Sequence, residues 1–288
     1  MKKLQILVIL SFFVFAAFKS DKPAYLLFTK EGKTVKYSKM LDKIKDADIV
    51  LFGESHNNPI SHWLELELTK DLYELKKDKL ELAAEMFETD NQLIINEYFD
   101  NLISQSYFED EVRLWPNYQT DYKPLVEFAK KNGIPFVASN IPRRYASLVN
   151  KKGFEGLGEL SDEAKTYLPP LPVAYDANLE CYKSLLKMGG MGAHMSPNFP
   201  KAQAIKDATM AYFMLKHWNP GKQILHFNGS YHSDNFESIY WYLKKENPDL
   251  KIVTITTVSQ KDVKKLVKEN TGHADFTVCV AEDMTKTQ

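Results

Sequence analysis

Short apolar runs alternate with longer amphipathic segments along most of the chain, and this alternation constrains the fold most. The runs include "IVLF" at 49–52, "LELAAEM" at 80–86, "FVAS" at 136–139 and "KIVTITTV" at 251–258. Strands separated by helix-length segments are typical of parallel sheets covered by helices. We therefore predict an α/β fold: a single domain with a mostly parallel central sheet, helices on both faces and a helical insertion from about Ser161 to Trp218.

The segment after the first run has the features of a helix start. Asn57 or Asn58 is placed to cap it, and Pro59 lies in its first turn. His62 lies about one helical turn after Pro59, and we interpret it as an ordinary surface histidine. A second helix over "DYKPLVEFAKKNG" is expected to end at Gly133.

The N-terminus has the composition of a secretory signal. Met1-Lys2-Lys3 precedes an apolar run, and the small residues near Ala16 suit cleavage. The run is shorter than the roughly 20 apolar residues of a spanning helix, so an uncleaved anchor is the weaker alternative. We expect residues 1–18 to be a signal peptide and 22–288 the mature domain. The protein would then be secreted across the inner membrane and be periplasmic or envelope-associated.

Composition excludes one class of partner and bears on the cysteines. With 37 Lys and Arg against 38 Asp and Glu, the formal net charge is -1, which argues against nucleic acid as the main partner. Cys181 falls in a predicted helix and Cys279 in a predicted final strand. We favour two buried thiols over a disulfide.

Polar side chains follow four of the predicted strands. They are Glu54 and His56, then Glu85, at which the second strand is predicted to end, then Asn140 with Arg143 and Arg144, then Asn228 through His232. Ligands of open α/β sheets bind outside the carboxyl ends of the strands, where loops converge. These groups are therefore predicted to share one crevice.

The motifs "GESH" and "FNGSYH" place His56 and His232 on two glycine-containing turns. Either imidazole could bind a metal or move a proton near neutral pH, and a water-exposed turn histidine is the alternative. Glu54 could orient His56 or interact with the positive end of the following helix. Glu85 could be a metal ligand, a general base or the partner that orients a histidine, or else a buried acceptor that holds loops together.

Two further segments hold candidate ligands. In "AQAIKDATMAYFMLKHW", Asp207 lies on a mainly apolar helical stripe, which suggests either a position inside the crevice or a bond to a neighbouring loop. The loop "KMGGMGAHMSP" contains His194 and Met195, which are soft ligands for haem iron or copper(I). A flexible methionine-rich lid is the more common use of such a loop. Among the 15 tyrosines most are expected to pack in the core, although a tyrosinate can bind ferric haem.

An ordered set of motifs resembles a known family. These are "VLFGESHNNPISH", "LAAEMFE", "WPNYQTDYKPLVEFAKKNGIPFVASNIPRR", "AQAIKDATMA" and "FNGSYH". In this order they are similar to the ChaN-like haem-binding-uptake group of the wider Tiki and erythromycin-esterase-like superfamily, from about Ile49 onward. The resemblance implies an α/β fold and a haem-associated or iron-regulated envelope protein, with a pocket that a second subunit can complete. Many relatives are lipoproteins, whereas the leader here lacks a lipid-anchor cysteine.

The resemblance supports two functions. The first is haem or iron acquisition: an apolar cleft would bind haem, with other envelope haem-uptake proteins and a homodimer partner implied. The residues proposed to bind the cofactor are Arg143, Arg144, His194, Met195, Lys201 and Asp207. Arg143, Arg144 or Lys201 would pair with the propionates. The second is a hydrolase that uses Glu54, His56, Glu85 and His232, either as acid and base or with a divalent metal on His56 and His232.

Overall fold

The protein is described from a computed structural model over residues 22–188 and 196–287. Over these residues the strands form one sheet. In chain order they are β1 (Tyr25–Thr29), β2 (Thr34–Val35), β3 (Ile49–Glu54), β4 (Leu80–Glu88), β5 (Phe136–Asn140), β6 (Gln223–Gly229), β7 (Ile252–Gln260) and β8 (Phe276–Ala281). Their spatial order is β2, β1, β8, β7, β3, β6, β4, β5. β1 is antiparallel to β2 and to β8, and the other neighbouring pairs are parallel.

Helices connect these strands. They are α1 (Tyr37–Ile44), α2 (Pro59–Lys76), α3 (Gln92–Phe99), α4 (Gln105–Glu111), α5 (Lys123–Asn132), α6 (Arg143–Lys152), α7 (Asp162–Lys165), α8 (Glu180–Met188), α9 (Phe199–His217) and α10 (Ile239–Glu246). The helices α7 to α9 lie between β5 and β6, where the sequence predicts a helical insertion. None of the helices in the described part of the chain is long and apolar enough to cross a membrane.

The helix boundaries follow from local chemistry. The Asn58 side chain accepts hydrogen bonds from the backbone N–H groups of Ile60 and Ser61, and Pro59 occupies the first position of α2. At the end of α5, Gly133 has φ of 63°, a left-handed conformation that glycine adopts without steric cost. Both boundaries agree with the sequence prediction.

The sheet is covered on both faces. Alternate strand residues such as Phe52 and Phe227 pack against one group of helix side chains, including Leu68 of α2. The residues between them, such as Leu51, pack against α9 and α10 on the other side, where Met210 is fully buried. Central strands buried on both faces explain why the apolar runs are nearly continuous in sequence. The predicted fold class is confirmed.

Two details refine or confirm the prediction. The strand that was expected to end at Glu85 continues to Glu88, and its pairing with β5 shifts register between Ala84 and Glu88. This irregularity re-aims side chains at the strand end, as bulges commonly do beside sites. Cys181 and Cys279 are buried, unpaired thiols, as predicted.

Candidate functional site

A cleft of about 760 Å³ opens at the carboxyl ends of β3, β4, β5 and β6. Its lining residues are His56, Glu85, Glu88, Arg113, Leu114, Trp115, Pro116, Asn140, Ile141, Arg143, Gln203, Lys206 and His232. Groups from four strand ends therefore do meet at one crevice, as the strand order requires.

His56 is the half-exposed imidazole of this cleft. Its side chain is 44% exposed, and its ring packs edge-on against Trp115 with ring centroids 4.9 Å apart. Nδ1 lies 2.7 Å from Glu54 Oε1, and the buried Glu54 carboxylate also accepts a 2.6 Å hydrogen bond from the Tyr122 hydroxyl. A carboxylate only accepts, so Nδ1 carries the proton and Nε2 holds the lone pair of the neutral ring. The arrangement suits either metal ligation or proton abstraction at Nε2.

Charge around His56 favours its protonated form. Burial acts to lower the pKa of His56, but the hydrogen bond with Glu54 and the charges of Glu85 and Glu54 raise it above its usual value. Burial likewise acts to raise the pKa of Glu54, but the hydrogen bond with His56 and the charge of His62 lower it. Glu54 is therefore an ionised group that orients His56.

Gly229 permits the close approach of His56 to β6. It lies opposite Glu54 in the β3–β6 register, and a Cβ atom built at Gly229 would be 2.5 Å from His56 Nε2. Its φ and ψ are -56° and 138°, values that any residue adopts. The requirement for glycine here is space, not backbone conformation.

Glu85, His232 and Asp207 form a buried array along the floor of the cleft. His232 Nδ1 lies 2.6 Å from Asp207 Oδ1, and His232 Nε2 lies 3.3 Å from Glu85 Oε1. Glu85 Oε2 accepts a 2.8 Å hydrogen bond from the Gly229 N–H, and Asp207 Oδ2 accepts one of 2.8 Å from the Tyr182 hydroxyl. Each buried charge thus has an opposite charge or a donor beside it.

The charges within this array determine the protonation states of its members. Burial acts to lower the pKa of His232, but the charges of Glu85 and Asp207 outweigh it and raise this pKa to about 10. Burial acts to raise the pKa of Glu85, but the charge and hydrogen bond of His232 lower it below its usual range. At neutral pH His232 is an imidazolium held between the Glu85 carboxylate and Asp207, whose own pKa is raised by burial. By contrast, the fully buried His226 bonds Ser139 and Asn228, and burial lowers its pKa to about 4.

Cationic and apolar groups complete the cleft. Arg143, at the start of α6, and Lys206, on α9, line it together with Trp115 and Leu114. Arg113 also lines it, but its guanidinium bonds the carboxylates of Glu88 and Asp90. Trp115, Lys206 and Arg113 were not among the predicted site residues, because none of them directly follows a strand. Trp115 and Lys206 nevertheless lie in two of the motifs that carry the family resemblance.

The other predicted residues have different positions. Arg144 Nη1 donates a 2.5 Å hydrogen bond to Asp90 Oδ2, and its guanidinium lies over the Tyr145 ring, so Arg144 is engaged outside the cleft lining. Lys201 Nζ lies 5.9 Å from the centroid of the Phe154 ring and does not line the cleft either. His194 and Met195 lie outside the described residues. Asp207 is fully buried and does not line the cleft. Its Oδ1 contacts Nδ1 of His232 and fixes the position of that ring.

The expectation for His62 is wrong, because this residue is buried. It lies on the inner side of α2 with Glu65, and its Nδ1 is 3.0 Å from Glu65 Oε2. His62 Nε2 lies 3.1 Å from the His56 carbonyl oxygen and 3.4 Å from Asp121 Oδ2. Burial and the charge of Glu54 raise the pKa of Glu65 well above its usual value. A second titratable cluster thus lies directly beneath the cleft.

Comparison with known proteins identifies relatives. A family model described as "Haem-binding uptake, Tiki superfamily, ChaN" matches residues 40–243. A solved structure of Campylobacter jejuni ChaN, described as showing cofacial heme binding, is similar with a TM-score of 0.67. It is 16% identical and the match covers 88% of this chain and 96% of that one. An erythromycin esterase mutant, EreC in its open conformation, is similar with a TM-score of 0.50 at 10% identity, over 91% of this chain and 98% of that one.

A plant relative is more similar in sequence. Protein RETICULATA-RELATED 5, chloroplastic, of Arabidopsis thaliana is 31% identical over 191 residues. The match covers 61% of this chain and 25% of the plant protein, so this chain spans about a quarter of that relative's length.

Proposed function

The chain belongs to the haem-binding uptake family of the Tiki superfamily that includes ChaN, and we propose that its cleft binds haem. One observation carries the proposal: the half-exposed imidazole of His56 faces a cleft with an indole wall and cationic side chains. Haem needs an iron ligand, an apolar surface for its macrocycle and cations for its propionates. The cleft offers all of these.

His56 is the proposed iron ligand. Its Nδ1 donates to Glu54, which leaves Nε2 as the coordinating nitrogen and makes the ring more basic. His232 is less suited, because carboxylates occupy both sides of its ring. Tyr118, Tyr122 and Tyr182 are buried and absent from the cleft lining, and burial raises the pKa of each phenol, which opposes a tyrosinate ligand.

Arg143 and Lys206 are the proposed partners of the propionates. Both line the cleft, whereas the two other cations considered from the sequence, Arg144 and Lys201, do not. Neither Arg143 nor Lys206 has a carboxylate partner among the ion pairs of the described residues, so both charges can pair with a ligand.

Hemin titration tests the proposal. Purified protein should shift the Soret band of hemin in a saturable way, and His56→Ala should weaken binding about tenfold or more and change the spectrum. His217→Ala, which changes a histidine on α9 outside the cleft, should leave both unchanged. Absence of a saturable shift in the wild type would rule out haem binding here.

We also propose that this binding takes place outside the cytoplasm. The basic start and short apolar run of residues 1–18 support secretion across the inner membrane to the periplasm or envelope, where other haem-uptake proteins would be partners. Cofacial heme binding is described for the similar C. jejuni protein, and we propose in addition that haem binds between two copies of this chain. Cell fractionation tests the location, and cytoplasmic full-length protein would contradict secretion. Light scattering with and without hemin tests dimerisation, and a monomer at saturating hemin would contradict it.

A hydrolase is the second candidate. Its support is the pairing of His56 with Glu54, which has the geometry of an oriented general base. Alternatively His56, Glu85 and His232 would hold a divalent metal that activates water. Ester and amide panels with wild type and His56→Gln test it; equal turnover by both would eliminate this function without affecting the hemin result.

A further inference from the structure

The cluster beneath the cleft consists of Glu54, His62 and Glu65. Each offers one ligand atom, and these atoms all lie within 4.8 Å of one another. All three residues are buried. His62 Nδ1 lies 3.0 Å from Glu65 Oε2 and 3.6 Å from Glu54 Oε2. Glu54 therefore has one oxygen toward His56 and the cleft, and the other toward this cluster.

The hydrogen bonds of His62 determine where its lone pair points. Nε2 lies 3.1 Å from the His56 carbonyl oxygen, which can only accept, so Nε2 carries a proton. Asp121 Oδ2, 3.4 Å from the same nitrogen, supports this protonation. In the neutral ring the lone pair is then on Nδ1, the atom nearest the Glu54 and Glu65 carboxylates. The imidazole lone pair of His62 therefore faces the carboxylate oxygens of Glu54 and Glu65, and all of these groups are hydrogen-bond acceptors.

Two carboxylate oxygens in the cluster are unsatisfied. Across the described residues, Glu54 Oε2 and Glu65 Oε1 have no hydrogen-bond donor although both are buried. Buried carboxylate oxygens without partners are costly and rare in folded proteins. A positively charged ligand between them would satisfy both oxygens and the imidazole nitrogen together.

We propose that Glu54, His62 and Glu65 bind one divalent first-row transition metal ion. Imidazole nitrogen with carboxylate oxygen is a donor set suited to Zn²⁺, Mn²⁺ or Fe²⁺. Two carboxylates balance the charge of a divalent ion. The Nε2–H contacts to the His56 carbonyl and Asp121 hold the ring of His62 as outer partners hold metal-bound histidines. The site lies beneath the cleft and shares Glu54 with it, but binding of the ion does not require haem.

A proton shared by Glu54 and Glu65 is the competing explanation. The two differ in their response to Glu65→Gln, which keeps the side-chain shape and can donate a hydrogen bond to Glu54. If the residues share only a proton, this change preserves their contact. If they bind a metal, it removes a charged ligand and loss of the ion follows.

The experiment measures metal content without haem. Protein is refolded with Zn²⁺ or with Mn²⁺, desalted and examined by native mass spectrometry and elemental analysis. We expect one ion per chain in the wild type and at least about a tenfold weaker retention in Glu65→Gln. Glu67→Gln, on the outer side of α2 where Glu67 pairs with Lys70, should retain the ion fully. A wild type without a stoichiometric ion, or full retention by Glu65→Gln, would overturn the site.

A cleft variant locates the ion. His232→Gln changes an imidazole of the cleft and leaves the cluster intact, so it should keep the ion. Loss from His232→Gln with retention by Glu65→Gln would assign the metal to the cleft and refute the proposal. If Glu65→Gln does not fold, thermal unfolding of the His232→Gln protein is compared in Zn²⁺ and in EDTA. A higher Tm in Zn²⁺ supports the site, since a ligand of the native state stabilises it, and equal Tm values refute it.

Discussion

His56 Nδ1 lies 2.7 Å from Glu54 Oε1, and this bond decides which imidazole nitrogen faces the cleft. Glu54 is the last residue of β3 and is fixed by the Tyr122 hydroxyl, so a rigid strand end positions the ring. Ligand binding at the cleft should therefore depend on Glu54 and Tyr122, although neither of them lines the cleft.

Gly229→Ala should disrupt the cleft without straining the backbone. The new Cβ would lie 2.5 Å from His56 Nε2, which is closer than carbon and nitrogen atoms can approach, so the ring must move. We expect hemin affinity to fall about tenfold or more, as for loss of a ligand position. Gly158→Ala is the matched control, because a Cβ there meets no atom within 4 Å. Unchanged hemin titration in Gly229→Ala would contradict the assignment of His56.

The adjacent arginines Arg143 and Arg144 should behave differently. Arg143 lines the cleft, whereas Arg144 bonds Asp90 outside the lining. A charge-assisted hydrogen bond contributes about 1.5–3 kcal/mol, so Arg143→Gln should weaken hemin binding about tenfold. Arg144→Gln should leave affinity within about twofold. Spectrophotometric titration of both variants measures this, and a larger effect at Arg144 would exclude the proposed propionate contact.

The cleft could be predicted from sequence because its groups follow strand ends. Glu54, His56, Glu85 and His232 each lie within a few residues of an apolar run, and parallel strands place such ends along one edge. The position of Asp207 could be predicted from helical periodicity alone, since it lies on the apolar stripe of α9. Arg143 and Arg144 could not be distinguished, because one residue along a helix rotates a side chain by about 100° and the sequence does not show which face is inward.

His62 shows where the sequence interpretation failed. Buried positions of α2 include His62, Glu65 and Thr69 beside Leu64 and Leu68, so a polar stripe runs next to the apolar one. The spacings of three and four residues between His62, Glu65 and Thr69 place their side chains on one face of the helix. Polar residues at such spacing ordinarily face water, and only tertiary packing against β3 buries them here. The three-residue spacing of His62 and Glu65 was the available signal.

Tyr122→Phe should destabilise the fold. The Tyr122 hydroxyl donates a 2.6 Å hydrogen bond to the buried, ionised Glu54, and its removal leaves that carboxylate less well satisfied. We expect the free energy of unfolding to fall by about 1.5–3 kcal/mol, as for other hydrogen bonds to charged groups. Tyr107→Phe, at an exposed tyrosine of α4, should change it by less than about 0.5 kcal/mol. Urea denaturation compares the two, and equal effects would show that the bond contributes nothing specific.

Stability should fall as pH rises above neutrality because of His232. Its pKa is about 10 in the folded state, against an ordinary value of 6.5 that applies after unfolding. The stabilisation from its two carboxylate partners is complete below pH 6.5 and is lost as pH rises through about 10. Between these values the native state binds one more proton, so the free energy of unfolding should decrease by about 1.4 kcal/mol per pH unit.

Asp207→Asn tests this assignment. It removes one of the two charges that raise the pKa of His232, so the decrease between pH 6.5 and 9 should become smaller and end at a lower pH. Breaking one partner of a buried ion pair should also cost about 3–5 kcal/mol at pH 7. Asp162→Asn, at a fully exposed position, should keep the wild-type slope. Urea denaturation across this pH range measures both quantities. A wild-type free energy that stays constant from pH 6.5 to 9 would show that His232 is neutral in the folded protein, and the same slope in Asp207→Asn would show that Asp207 does not hold its proton.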